Sequence, residues 1–167
     1  YVNNAYPWSK KIRIMEQIMV TNLEKIDNKL VFINKKILLG NYKIIRNKVG
    51  NSRIMSVIKG DAYGHGINQC QKTLYEAGCR DFYVARLEDA IKIRKLSPGS
   101  INIFLLSGTS SYKTCGLLKK YKIYPIINNY DQLEIINKYP ETIKFVLHFD
   151  TGMNRLGFKL KEIEQIK

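Results

Sequence analysis

Metal-ligating residues are scarce in this chain of 167 residues. It holds three cysteines (Cys70, Cys79 and Cys115) and two histidines, His65 and His148. No pair of cysteines has C-x-x-C spacing, so a zinc framework is excluded and the thiols read as reduced, partly buried side chains. Long apolar runs are also missing. Nothing approaches the roughly 20 residues that a membrane-crossing helix requires. The first twenty residues lack the central apolar block of a signal peptide, because Lys10, Lys11, Arg13 and Glu16 interrupt them. These absences point to a cytosolic protein without a membrane anchor or a metal. Acidic residues are few as well: 14 Asp and Glu face 28 Lys and Arg, a formal charge of +14. Such a balance attracts polyanions. Here, however, the lysines are spread along the chain among Ile, Asn and Tyr, and no basic stripe interleaved with aromatics appears. A basic nucleic-acid-binding protein is therefore an alternative reading rather than the leading one.

What is present is a 45% hydrophobic content, enough for a real core. Five short apolar runs have the character of buried parallel strands: Ile54–Lys59, Phe82–Arg86, Ile101–Leu106, Ile123–Asn128 and Phe145–Asp150. Pro125 lies inside the fourth and counts against it. Helical spacing fills the intervals. Cys70, Leu74 and Ala77 share one face before Gly78; Leu87, Ala90 and Ile91 share another; Leu133 and Ile136 follow the start signal Asn129–Asp131. Strand and helix thus alternate about every 20 to 28 residues, the pattern of βαβ units in an α/β fold. Ahead of them, Leu30–Ile33 is a further candidate strand, and Leu38, Tyr42, Ile45 and Val49 mark one helix stripe. Residues 1–28 read as a poorly defined leader and residues 29–167 as the domain.

Lys59 closes the first strand, and the glycine-containing stretch Gly60–Gly66 follows at once. An amine in an apolar setting tends to lose its proton, and the neutral amine is the nucleophile of Schiff-base chemistry. Taken alone, the lysine is equally a strand-end side chain reaching into solvent. The glycines alone form neither a phosphate loop nor a dinucleotide fingerprint. Arg155 lies just beyond the fifth strand. Loops after the C-terminal ends of parallel strands open on one face, so Lys59 and Arg155 are expected at one mouth.

Taken whole, Val57–Gly66 (V-I-K-G-D-A-Y-G-H-G) resembles the lysine signature of bacterial alanine racemases, usually K-A-D-A-Y-G-H-G, with Gly60 in place of alanine. Asp150–Phe158 (D-T-G-M-N-R-L-G-F) is similar to a second signature of that family. Phe82–Arg94 and Ile103–Gly108 resemble the strands and helix between the two, so that the likeness runs from about Lys29 to the C-terminus. The resemblance implies a parallel β/α barrel, of which this chain would supply about five of eight units. In the family a C-terminal β-domain follows and the enzyme is a homodimer, so the chain reads as a fragment that is not expected to racemise alone. The cofactor implied is pyridoxal 5'-phosphate and the reaction is interconversion of L- and D-alanine, supplying D-alanine for peptidoglycan.

By that resemblance Lys59 would hold the cofactor as a Schiff base and act as base on one face of the α-carbon. Tyr63 would bond the phosphate, Val57 and Leu105 would pack against the cofactor ring, and Arg155 would meet its phenolic oxygen and the substrate carboxylate. His65 reads as a structural residue of the turn ahead of a proton carrier. The second base, a tyrosine from the partner subunit, lies outside this chain. There is one departure. Many members carry a lysine, often carbamylated, seven residues before the motif arginine; this chain has His148 there. A neutral imidazole offers one acceptor nitrogen and no negative charge. A cofactor-binding protein of the same barrel type that does not racemise is the second alternative.

Overall fold

A computed structural model describes residues 33–97, 99 and 101–166; Ile33–Lys167 form one compact unit. The leader over residues 1–28 and most of the candidate strand Leu30–Ile33 lie outside the described residues. The first element is helix α1 (Lys35–Val49), started by Asn34, whose side-chain oxygen accepts from the amides of Lys36 and Ile37. There follow β1 (Met55–Val57), a short turn α2 (Lys59–Tyr63), α3 (Ile67–Glu76), β2 (Asp81–Val84), α4 (Leu87–Leu96) and β3 (Asn102–Leu105). Then come α5 (Tyr112–Lys120), β4 (Ile123–Ile127) and α6 (Tyr130–Lys138). The last elements are β5 (Val146–Leu147), β6 (Phe149–Asp150), β7 (Phe158–Lys159) and a 3-10 segment, Leu160–Gln165.

Five strands form one parallel sheet in the order β1-β2-β3-β4-β5. Each strand lies beside its neighbour in sequence. That sequential winding is the arrangement of a barrel sector; a doubly wound sheet reverses its order at a switch point. All five expected strands are present, shortened at one or both ends, and β2 begins one residue early, at Asp81. The fifth is divided. The His148 amide donates to the carbonyl of Ile127, and the Phe158 amide donates to the carbonyl of His148. The chain therefore leaves β4 at this residue and pairs with β7 instead. Pro125 is accommodated within β4, opposite Leu105, and the ladder to β5 starts immediately after it, at Ile126.

Residues in register on parallel strands share a face, which sorts the side chains into two sets. Phe82, Val84, Ile103, Leu105 and Ile123 point to the helices and pack with Ile58, Ile67, Leu74, Ala90, Ile93 and Leu118. Val57, Tyr83, Phe104 and Tyr124 are in register on the other, open face. There Tyr83 stacks on Phe104 at 4.9 Å between centroids, and Phe104 meets Tyr124 at 5.4 Å. A second cluster around Cys115, Ile127, Ile136, Ile143 and Phe158 anchors the last strands.

The expected stripe of α1 is covered only in part. Tyr42 is buried and Leu38 packs on the core, whereas Ile45 and Val49 are exposed. The helix meets α3, and periodicity marked a longer stripe than the packing covers. One buried charge had no sequence signal. Asp81, 2% exposed, takes both Nε and an Nη of Arg53 at 3.0 and 2.5 Å, and Asn102 Nδ2 at 2.7 Å. These bonds satisfy a carboxylate that would otherwise be costly to bury. All three cysteines are free and buried.

Candidate functional site

The segment after β1 does something uncommon. Gly60, Asp61, Ala62 and Tyr63 take φ of 59°, 53°, 54° and 56°, one turn of left-handed helix. Each L-residue in that region costs about 1–2 kcal/mol, so such a turn persists only where its surroundings fix it. Three bonds do so. The Asp61 carboxylate accepts from the Ile67 amide at 2.8 Å and thereby caps α3. The Gly66 amide donates to the Asp61 carbonyl at 2.9 Å. His65 Nδ1 lies 2.8 Å from the Ala62 carbonyl, to which only an N–H can be donated. His65 is thus engaged in holding the turn.

The turn brings its first and last side chains together. Lys59, half-buried, carries Nζ 5.9 Å from the centre of the exposed Tyr63 ring. Both line an open hollow of about 520 Å³ with Gly60, Asp61, Ala85, Arg86 and Asp89. A second hollow of about 390 Å³ adjoins it through Ala85 and Arg86 and runs past Ser107, Gly108, Thr109 and Thr114. Both sit beyond the C-terminal ends of β1, β2 and β3, where ligands of parallel α/β folds bind. Arg86 and Asp89 were not singled out from sequence. A signal existed for the arginine: it ends the apolar run F-Y-V-A-R.

Val57 is on the open face and 43% exposed. Leu105 is 1% exposed on the opposite face, packed among Val84 and Ile103. Strand alternation gives Phe104, not Leu105, the face of Val57, while Leu105 lines the second hollow.

Arg155 is displayed by a tightly held loop. Asp150 Oδ1 accepts from the amides of Gly152 and Asn154 at 3.0 and 3.1 Å. These bonds, Gly152 first, hold its carboxyl below the usual range. Gly157, at φ 104°, runs so close to the strand that a Cβ there would lie 2.9 Å from Asp150 N and His148 O. Phe158 is fully buried against Tyr130 and Phe149. Five residues of the signature (Asp150, Gly152, Asn154, Gly157 and Phe158) therefore build the loop, while Met153, Arg155 and Leu156 are exposed. Arg155 lines neither of the two hollows. His148 stands on the open face, its Nδ1 2.8 Å from Asn128 Oδ1. Among the described residues no three His, Cys, Asp or Glu side chains gather as a metal site, and no helix is long and apolar enough to cross a membrane.

A sequentially wound parallel sheet with a lysine, a tyrosine and an arginine around one hollow at its strand ends defines a β/α-barrel-type domain. Residues 33–167 match the family model "Alanine racemase, N-terminal domain", and the chain belongs to that family. The alanine racemase of Rickettsia canadensis (strain McKiel) is 36% identical over 138 residues, which is 80% of this chain and 39% of that protein. Among solved structures, the alanine racemase of Bartonella henselae with covalently bound pyridoxal phosphate is 29% identical at a TM-score of 0.72. The alignment covers 80% of this chain and 38% of that one. A histidine racemase from Leuconostoc mesenteroides subsp. sake is 26% identical at a TM-score of 0.66, over 77% and 35% of the two chains. The chain spans about two fifths of the length of the curated relatives it matches.

Proposed function

We propose that this chain is the lysine-bearing part of a pyridoxal-phosphate-dependent alanine racemase, with Lys59 as attachment point and as base on one face of the α-carbon. The observation that carries the reading is the hollow into which one left-handed turn sets both Lys59 and Tyr63 beside Arg86. Its donor set fits the cofactor: a reachable primary amine for an aldehyde, and a phenol and a guanidinium for a phosphate. When bound, pyridoxal phosphate supplies an electron sink for the charge left on the α-carbon.

The chain's own residues have the remaining tasks. The Lys59 amine removes the α-proton of one enantiomer on its own face and, in the reverse direction, delivers a proton there. The Tyr63 hydroxyl donates to the phosphate. Val57 gives the ring an apolar floor, and Arg155 pairs with the substrate carboxylate through two parallel N–H donors. Proton return to the opposite face needs a second base, which the resemblance assigns to a partner subunit of a homodimer. Alanine is favoured as substrate by the curated relatives, although a histidine racemase shares the architecture. The product D-alanine would serve peptidoglycan synthesis.

The test is loss of the α-proton signal of alanine in D2O with the chain and pyridoxal phosphate. Exchange that disappears in Lys59→Ala is expected. Bound cofactor with no exchange of either enantiomer would replace the racemase reading by that of a cofactor-binding protein.

A further inference from the structure

We infer that the groove between α3 and α4 is a second binding site, which takes a small aliphatic carboxylate with its head group on Gln71 and Lys72. The two helices follow consecutive strands and pack side by side against the covered face of the sheet. Between them is a hollow of about 480 Å³, lined by Asn68, Gln71, Lys72 and Tyr75 from α3 and by Ile93 and Leu96 from α4. None of these residues borders the hollows at the strand ends, so the groove is separate from the Lys59 site. Gln71 carries the inference. Its side chain is 7% exposed, and its Nε2 is buried with no hydrogen-bond partner among the described residues. Asp81, Thr109 and Asn128, comparably buried, all have theirs. A buried donor left unpaired is costly, and an apolar side chain of similar size would stand there without that cost. An acceptor lodged in the groove relieves it, and the soft last torsion of a glutamine lets the donor turn to such a group.

The rest of the lining indicates the kind of acceptor. Asn68, Gln71, Lys72 and Tyr75 stand at i, i+3, i+4 and i+7 and so share one face of α3. Lys72 is exposed and enters no ion pair among the described residues. A neutral donor beside a cation suits a carboxylate, which only accepts and has two oxygens to offer. Ile93, fully buried, and Leu96, largely exposed, form an apolar wall for an alkyl tail. The Glu76 carboxylate stands on the rim one turn beyond Lys72, and its charge keeps the head group at the Gln71 end. A partner helix would need apolar anchors over successive turns, and this wall has two aliphatic side chains. The volume is that of a small-molecule site.

The experiment is an NMR titration of the full chain with 4-methylpentanoate at physiological salt, following the Gln71 side-chain amide and the Ile93 methyl signals. A saturable shift of both is expected, with the neutral 4-methylpentanamide bound at least about tenfold more weakly. Lys72→Glu, a change at an exposed position, should weaken the acid by a similar factor and leave the affinity of the amide as it was. Gln71→Leu should abolish the saturable shift at Ile93 and raise the midpoint of urea unfolding, because it removes an unpaired donor; a glutamine with a purely structural bond would lower that midpoint when replaced. The absence of a saturable shift would overturn the inference. So would equal affinity for acid and amide, binding that survives in Gln71→Leu, or a chain destabilised by that substitution. Trapping of pyridoxal phosphate on Lys59 should be the same with and without the acid, so this site and the proposed function stand or fall separately.

Discussion

Gly60 is the residue at which this chain departs from the racemase signature, and its backbone explains why the change is harmless. At φ 59° glycine has none of the strain that alanine meets there, and a Cβ would touch nothing within 4 Å. Gly60→Ala should fold normally and lose about 1–2 kcal/mol in urea denaturation. Gly157 is different, because a Cβ there meets backbone atoms at 2.9 Å. Gly157→Ala should lose roughly 2–5 kcal/mol, from the positive φ and the overlap together, read by the same melts. Lys59 and Tyr63 were legible in the sequence because an eight-residue string carries them. The face of Leu105 was not. Ile101–Leu106 is apolar on both sides, so the run shows a strand and conceals which residue points where. Arg86 went unnoticed because a lone arginine at a strand end has no distinguishing neighbours.

Among elements, the loop from β6 to β7 is the one whose stability titrates. The Asp150 carboxyl, held low by the Gly152 and Asn154 amides, adds stability that is complete above the ordinary carboxylate range. That contribution fades as pH falls below about 4 and is gone once the lowered folded value is passed. Hydrogen exchange at the Gly152 and Asn154 amides, corrected for intrinsic rates, should therefore accelerate selectively in that range. Asp150→Asn should remove the pH dependence. At the other end of the site, Asp61 caps α3, and Asp61→Ala should cost about 0.5–2 kcal/mol and loosen the left-handed turn. Sequence periodicity found the strands because burial on one or both faces needs apolar runs. It could not show that the fifth strand changes partner at His148, since that depends on where β7 returns, a contact between residues 148 and 158. The overlong stripe of α1 has the same origin: spacing records a possible face, and packing decides how much of it is used.

At the scale of the molecule, the order of the strands was legible from their alternation with helices, since consecutive βα units wind side by side. The charge of +14 belongs to the surface and not to the fold. Any binding to nucleic acid is expected to fall steeply with salt and to show no sequence preference, as a titration over ionic strength would read. The site depends on a wider convergence. β1 delivers Lys59 and β2 delivers Arg86 to one hollow; we propose that the loop held by the return of β7 brings Arg155 to the same mouth. The central claim is that this convergence makes Lys59 the attachment point for pyridoxal phosphate. Incubation with the cofactor, reduction by borohydride and peptide mass mapping test it most directly. Stoichiometric label on the peptide holding Lys59, lost in Lys59→Ala while the circular dichroism stays unchanged, is the predicted result. A folded chain that takes no label, or takes it equally on its surface lysines, would contradict it.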